Sequence, residues 1–339
     1  MKLSRHEQIL KYVVEHFIQT AEPVGSQTLI DEYQLPFSSA TIRAELNALE
    51  HAGYLEKTHA SSGRIPSSKG YRYYVDNLRG HDVNDYVKNE LQAVFADKTA
   101  SIEEVVTAAC DILAHMTNLA SIVLGPSAEE ERLISIQIVP LSATVATAIF
   151  ITDQGYVENK TFIMPSGANV EEVQRVVQLM NERLAGTPIS QVDEKMESMR
   201  PLFNDYIYEH TVIFQALTEA FIRFAEDRLA LYGRSSLYAH RPTNRHAEKL
   251  SRVLDILDDR ALLEQLLTES DESVRAFIGT GEEDEDASIV TTKLEIPGRI
   301  PGTIAIIGPT RMDYSNVMST LEYVVDELEK HFRRLANIK

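Results

Sequence analysis

Cysteine is nearly missing: the 339-residue chain holds one, Cys110. A single thiol makes neither an internal disulfide nor a cysteine zinc cluster, which suits a reducing cytoplasm, the expected location. The start, Met1 to Leu10, lacks the apolar core of a secretory signal. A membrane span is also missing. No charge falls between Arg132 and Asp153, but Ser135, Gln137, Pro140, Ser142, Thr144 and Thr147 interrupt that stretch, with a proline–serine break at its middle. It reads as two buried strands joined by a turn, and no membrane partner is expected.

Signatures of catalysis are missing too. There is no Gly-x-Ser-x-Gly elbow, no phosphate loop, no Gly-x-Gly-x-x-Gly after a strand and no His-Glu-x-x-His helix. The ten histidines are scattered singly, so His115 and His210 read as packed or surface residues. Cys110 lies mid-helix without a histidine partner and reads as a buried structural thiol. The acidic run Glu282 to Asp286 lacks the spacing of a calcium loop and reads as solvated loop. No catalytic, metal or cofactor residue is assigned, and no enzyme is expected.

What is present is an ordinary globular composition, 44% hydrophobic and 25% charged, long enough for two or three domains. The charge is uneven. Residues 1–80 balance nine Lys/Arg against nine Asp/Glu, so the whole net charge of −18 lies beyond them. Within 54–79, Lys57, Arg64, Lys69, Arg72 and Arg79 face only Glu56 and Asp76. A basic stripe on an acidic chain is a candidate anion-binding edge.

The first 80 residues are short, punctuated elements. Ile9, Leu10, Val13, Val14, Phe17 and Ile18 recur at helical spacing, predicting a helix that ends near Glu22-Pro23. Gly25-Ser26 opens a second helix with Ser26 as N-cap and Leu29, Ile30 and Tyr33 inward. Ser38 or Ser39 caps a third, with Ile42, Leu46 and Leu49 inward and an end at Gly53. A strand (Tyr54 to Thr58), a small-residue loop and a return strand (Arg64-Ile65-Pro66) complete the order of a winged helix-turn-helix.

Further on, Ser101 and Glu104 form a capping box for a helix to about Met116, followed by a strand from Ala120 to Leu124. Strands are expected at Leu133 to Val139, Thr144 to Thr152 and Tyr156 to Met164, the last two joined at Asp153-Gln154-Gly155. Asn169 with Glu172 caps a helix closed by Gly186, and a helical tract runs from Pro201 to Tyr232. Ser236 to Ala239 reads as a strand and Ala247 to Leu267 as helix. Strands follow at Val274 to Ile278, Ser288 to Glu295 and Gly302 to Ile307. A helix from Tyr314, capped by Thr310 or Asp313, closes the pattern.

On the third helix the face opposite Ile42, Leu46 and Leu49 carries Ala40, Arg43, Ala44, Asn47 and His51. Arginine bonds guanine and asparagine bonds adenine through two-point contacts, and small alanines let a helix lie deep in a major groove. Ser38, Ser39 and Thr41 crowd the helix start, where free N–H groups favour phosphate. The same face reads equally as a solvated surface with neutral alanines and capping serines.

Four segments carry a family resemblance: Pro23-Val24-Gly25-Ser26, Ser38-Ser39-Ala40-Thr41-Ile42-Arg43, His59-Ala60-Ser61-Ser62-Gly63-Arg64-Ile65-Pro66 and Gly70-Tyr71-Arg72. With Ile307-Gly308-Pro309-Thr310-Arg311-Met312-Asp313-Tyr314 near the other end, the chain resembles the heat-inducible transcription repressor HrcA family. Ala44 stands where relatives often have Asn, and Ser62 where Ala is common. The resemblance implies an α+β fold: a winged helix-turn-helix (1–80), a discontinuous GAF-like domain (85–126 and 232–339) and an inserted dimerisation domain (127–231). It implies a repressor of bacterial chaperone operons that binds double-stranded DNA at an inverted repeat, the CIRCE element, as a homodimer. It also implies that the GroEL chaperonin maintains its activity.

Arg43 and Asn47 are accordingly expected to read bases, and Ser38, Ser39 and Thr41 to set the helix on phosphate. Lys57, Arg64 and Lys69 are expected to hold the wing and its flank on the DNA backbone, Gly63 permitting a tight tip. Two other readings stand beside this one. A winged-helix regulator could answer to a small ligand of its GAF-like domain, revealed by a saturable ligand that alters operator affinity. A protein-interaction module would bind no duplex even at low salt.

Overall fold

The computed structural model describes residues 3–57, 63–97, 100–125, 131–142, 144–155, 157–163, 170–204, 218, 229–233, 253–268, 273–279, 287–299 and 301–336. It is an α+β protein that divides into two compact units, one of Met1–Ile122, Leu231–Lys293 and Ile304–His331, the other of Val123–Ala230, Leu294–Thr303 and Phe332–Lys339.

The first unit opens with α1 (Arg5–Thr20), α2 (Ser26–Tyr33) and α3 (Ser39–His51). Ser4 and Glu7 form a reciprocal capping box at the start of α1, and Ile9, Leu10, Val13 and Val14 are buried along one face. The cap of α2 is Gly25 rather than Ser26. The Ser26 hydroxyl is instead 2.9 Å from that of Ser39, tying the start of α2 to the start of α3. Ser38 caps α3, accepting from the Thr41 amide at 3.1 Å, and Ile42, Leu46 and Leu49 form its buried face.

Strands β1 (Leu55–Lys57) and β2 (Arg64–Pro66) pair antiparallel, with Lys57 opposite Arg64. The tip between them, residues 58–62, lies outside the described residues. Val24 adds a third rung, exchanging both backbone hydrogen bonds with Arg64 at 2.9 and 3.0 Å. Here Gly63 has its reason. A Cβ at that position would come within 2.9 Å of the Pro23 backbone, so glycine permits a close approach of two chain segments.

After the wing comes α4 (Ser68–Asn77), capped by Ser67, with Tyr71, Tyr74 and Val75 buried. A side chain at Gly70 would strike the Tyr54 carbonyl at 2.1 Å. This helix, absent from the sequence expectation, anchors the winged domain. Its Arg72 donates to the Ile278 carbonyl at 3.0 Å, and its Tyr71 ring lies 5.6 Å from that of Tyr314. Arg79 forms an ion pair with Glu322, and Ser315 and Ser319 both donate to the Gly80 carbonyl at 3.2 Å. Arg311 reaches the Ile18 carbonyl at the end of α1 at 3.1 Å. The segment Ile307 to Tyr314 is therefore a strand-to-helix turn that packs against the first helices and α4.

The same unit continues through α5 (Asp85–Ala96) and α6 (Ile102–Thr117), the latter with the expected Ser101–Glu104 capping box. Strands β3 (Ala120–Leu124), β7 (Leu229–Tyr232), β8 (Arg275–Ile278), β9 (Ala287–Leu294) and β10 (Gly302–Pro309) make one sheet in the order β7-β3-β10-β9-β8. Counted along the domain alone this order is 2-1-5-4-3, a GAF-like arrangement. Helices α9 (Arg260–Thr268) and α10 (Tyr314–Ala336) belong to it, and the Asp313 carboxylate accepts from the Asn316 amide to cap α10. β7 corrects the expectation that a helix runs to Tyr232; Leu229–Tyr232 pairs beside β3 instead. Because β3 and β7 are neighbours, residues 125–228 form an insertion between adjacent strands.

That insertion carries the second sheet, β4 (Leu133–Pro140), β5 (Val145–Thr152) and β6 (Val157–Ile163), in the order β4-β5-β6. The charge-free stretch is thus a hairpin, and no helix among the described residues is long and apolar enough to cross a membrane. One face of the sheet is dry: Ile136, Ala146, Ala148 and Phe150 pack with Val173, Val176, Met180 and Leu184 of α7 (Val170–Leu184) and Val192 and Met196 of α8 (Ile189–Asn204). Each buried Val, Leu, Ile, Phe or Met among them contributes about 1.5–3 kcal/mol. The expected Asn169 cap, the strand at Ser236 to Ala239 and the acidic run Glu282 to Asp286 lie outside the described residues.

One carboxylate in the winged domain is ill at ease. Glu15 on α1 accepts from the Tyr74 hydroxyl at 3.3 Å, with Lys11 at 3.8 Å and Asp313 near, and burial raises its pKa above the ordinary 4.5. A raised carboxylate pKa means the folded state holds its proton longer than the unfolded chain, so ionised Glu15 opposes folding at neutral pH. Glu15→Gln is expected to raise the thermal midpoint at pH 7. The gain should shrink as pH falls through the raised value and vanish below the unfolded one. A gain independent of pH would refute this origin.

Candidate nucleic-acid interface

The candidate surface lies on α3. Its capped start is fixed by Ser38, and Ile42, Leu46 and Leu49 fix its roll, since all three are buried against α1 and α2. That roll leaves Ala40, Arg43, Ala44, Asn47 and His51 exposed together on the opposite face. Arg43 has no hydrogen-bond partner among the described residues. Glu45, on the flank of the helix, is held by Arg5 and His6 at 2.8 Å each, and the His6 hydrogen bond chiefly keeps its carboxyl below the usual range. This negative charge is therefore neutralised at the helix edge.

At the helix start the hydroxyls are turned toward protein. Ser38 is 2.8 Å from the Thr41 hydroxyl as well as capping the amide, and Ser39 meets Ser26. Their hydroxyls thus do structural work, while Ala40 is exposed in the first turn.

The three basic residues of the wing region separate. Lys57 is exposed on β1, without a partner among the described residues. Lys69 donates to the Ala52 carbonyl at 2.8 Å and lies 4.5 Å above the Tyr54 ring, closing the end of α3. Arg64 is 8% exposed. Its guanidinium is directed inward, 2.7–2.8 Å from the Glu50 carboxylate and 2.8 Å from the Asn47 amide oxygen. The expectation placed it on phosphate; in the folded chain it joins the wing to α3. Spacing alone gave no sign of this, because the contact spans 17 residues and a turn of the chain.

Cys110 is fully buried, and burial pushes its thiol up to about 12, so it is protonated at neutral pH. Among the described residues no three metal-ligating side chains cluster.

Comparisons with known proteins agree with this architecture. Residues 103–318 match the model of the HrcA protein C terminal domain. The chain is 36% identical over 335 residues to the heat-inducible transcription repressor HrcA of Halalkalibacterium halodurans, covering 97% of each chain. It is 36% identical to that of Bacillus pumilus, covering 99% of each, and 36% identical to that of Brevibacillus brevis, covering 97% of this chain and 98% of the other. A crystal structure of a hypothetical protein shares the fold with a TM-score of 0.67, at 22% identity over 98% of this chain and 99% of the other. Winged helix, GAF-like sheet, insertion and near full-length relatives converge, and the chain belongs to the heat-inducible transcription repressor HrcA family.

Proposed function

We propose that this protein represses chaperone operons by binding double-stranded DNA at an inverted repeat, the CIRCE element, as a homodimer, and that the GroEL chaperonin maintains its active fold. It acts in the cytoplasm without cofactor or catalysis. The observation that carries the reading is the bare face of α3: one arginine and one asparagine flanked by two alanines, rolled outward by a buried leucine–isoleucine stripe. Arg43 and Asn47 read base edges. Ser38, Ser39 and Thr41 shape the helix start for phosphate, Lys57 grips the backbone from the wing, and Lys69 and Arg64 support the helix from behind.

A single winged helix reads one half-site, so an inverted repeat calls for two copies. The second copy is proposed to pack on the outer face of β4-β5-β6. The antiparallel register puts Val139, Val145, Ile149, Ile151, Val157 and Ile163 on that face, around a Thr147–Thr161 hydrogen bond of 3.0 Å.

The topology supports a heat-sensitive fold. The five-stranded sheet closes only after residues 125–228 have been bypassed, and such long-range contacts slow folding and expose apolar surface. The test is footprinting on chaperone-operon promoters of the source genome with protein that has been warmed and cooled, with and without chaperonin and ATP. Protection of an inverted repeat, restored by chaperonin, is expected. Full spontaneous recovery would favour control by a small ligand, and no protection at low salt a protein-interaction role. Arg43→Ala should cost about 1–3 kcal/mol at one base pair of each half-site. Unchanged affinity and base preference would remove α3 from the groove.

A further inference from the structure

Arg64 is carried on a rigid strand, since its backbone makes both hydrogen bonds with Val24 and lies opposite Lys57 in the hairpin. Its side chain is nine-tenths buried, and Nε and Nη2 both approach one oxygen of Glu50, at 2.8 and 2.7 Å. Nη2 also donates to Asn47 Oδ1 at 2.8 Å. Glu50 and Asn47 stand one turn apart on α3, so the guanidinium grips the recognition helix at two points.

A guanidinium has only donors, so chemistry decides which atom of the Asn47 amide faces it: the oxygen. Turning the amide over would set an NH2 against an N–H. Nδ2 therefore points away from Arg64, and it has no partner among the described residues. Asn47 is exposed on the same face as Arg43 and Ala44. A two-point contact with adenine uses both the amide oxygen and the NH2 at the base edge. With the oxygen engaged by Arg64, what Asn47 offers is a donor.

Resting on the reading that α3 enters the major groove, we infer that Arg64 is a positioning residue for sequence readout: it locks the Asn47 amide so that the helix presents an NH2 to a base-pair edge rich in acceptors. Such edges are purine N7 and guanine O6. The wing thereby acts on specificity from inside the protein, through the recognition helix. A phosphate contact, by contrast, would act on all sequences alike.

The two roles separate with Arg64→Lys. Lysine keeps the charge and serves a phosphate as a point charge, but it lacks the planar fork that spans Glu50 and Asn47. The full-length protein is used to select sites from a randomised duplex library, and every base pair of the selected site is then varied for wild type, Asn47→Ala, Arg64→Lys and the double variant. Arg64→Lys should lose about five- to tenfold of discrimination at the one position that Asn47→Ala also affects. The double variant should lose no more than either single one, and the slope of log affinity against log salt should be unchanged. Glu50→Gln, which retains the cation and the packing volume, should show the same position-specific loss in smaller degree and covers the case of an Arg64 variant that folds poorly. Wild-type discrimination in both Arg64→Lys and Glu50→Gln would overturn the inference. So would equal weakening at every base pair, the sign of an action on the backbone. If Arg43→Ala and Asn47→Ala both leave site preference untouched, the groove reading itself fails and the inference with it.

Discussion

Truncation of Tyr314 to alanine is expected to destabilise the first unit by about 3–5 kcal/mol, the range for removing a large aromatic from a core. The ring is fully buried at the start of α10. Its hydroxyl donates to the Thr310 carbonyl at 2.7 Å and is joined to the Ser288 hydroxyl at 2.8 Å, so one side chain ties the turn before the helix to β9. The ring also supports Tyr71 of α4, whose own hydroxyl is buried with no partner among the described residues. Losing Tyr314 therefore opens a cavity where the winged helix meets the GAF-like sheet. Stability of a domain is only about 5–15 kcal/mol, so the loss is a large share of it. Urea unfolding followed by circular dichroism should show an earlier transition, and operator affinity per folded molecule should fall as the winged helix loosens. Tyr314→Phe, which keeps the ring and drops the hydrogen bonds, should cost about 1 kcal/mol. A loss below that for the alanine variant would show that the segment is not an anchor.

Much of this architecture is legible in the sequence because it is local. The α1 and α3 stripes repeat every three or four residues, the Ser101–Glu104 box is a four-residue signal, and Asp153-Gln154-Gly155 marks its hairpin, with Gly155 at φ +77°. Three helices escaped: α4, α5 and most of α8, whose start at Ile189 lies twelve residues before the expected tract at Pro201. In α4 the signal was present at Tyr71, Tyr74, Val75 and Leu78, all buried, but Gly70 near its start reads as a breaker. Only the fold shows why glycine is there, since the Tyr54 carbonyl occupies the space of a side chain. In α5, Asn84 caps, yet only Val87 and Leu91 of its twelve residues are buried, which makes a weak stripe.

The site divides the same way. Exposure of Arg43 and Asn47 follows from helical geometry alone and needs no tertiary knowledge. The inward turn of Arg64 does not, because it depends on Glu50 and Asn47 meeting a strand that arrives after a turn of the chain. A basic residue in a basic stripe carries no sequence mark of whether it faces solvent or a carboxylate. The stripe from Lys57 to Arg79 in fact holds several partnered cations: Arg64 with Glu50, Lys69 with Ala52, Arg72 with Ile278 and Arg79 with Glu322. Counting such residues overstates the field available to DNA.

Charging the outer face of the inserted sheet should have the largest effect on function. Val157 and Ile163 are 60% and 78% exposed in the single chain, and they sit on β6 opposite Ile151 and Val145. Because water already reaches them, Val157→Asp with Ile163→Asp costs the isolated protomer little beyond strand propensity, about 1 kcal/mol. In a dimer packed face to face the same carboxylates would be buried, each across from a copy of the same face, with no cation to meet them. Sedimentation should then report a monomer with unchanged circular dichroism. The monomer reaches one half-site at a time, so operator affinity should fall by about a thousandfold or more, toward the level of non-specific DNA. The salt slope should fall as well, because half of the phosphate contacts are lost with the second winged helix. A variant that stays dimeric would move the interface off this face. A monomer that keeps wild-type operator affinity would go further and show that one winged helix is enough, removing the need for an inverted repeat.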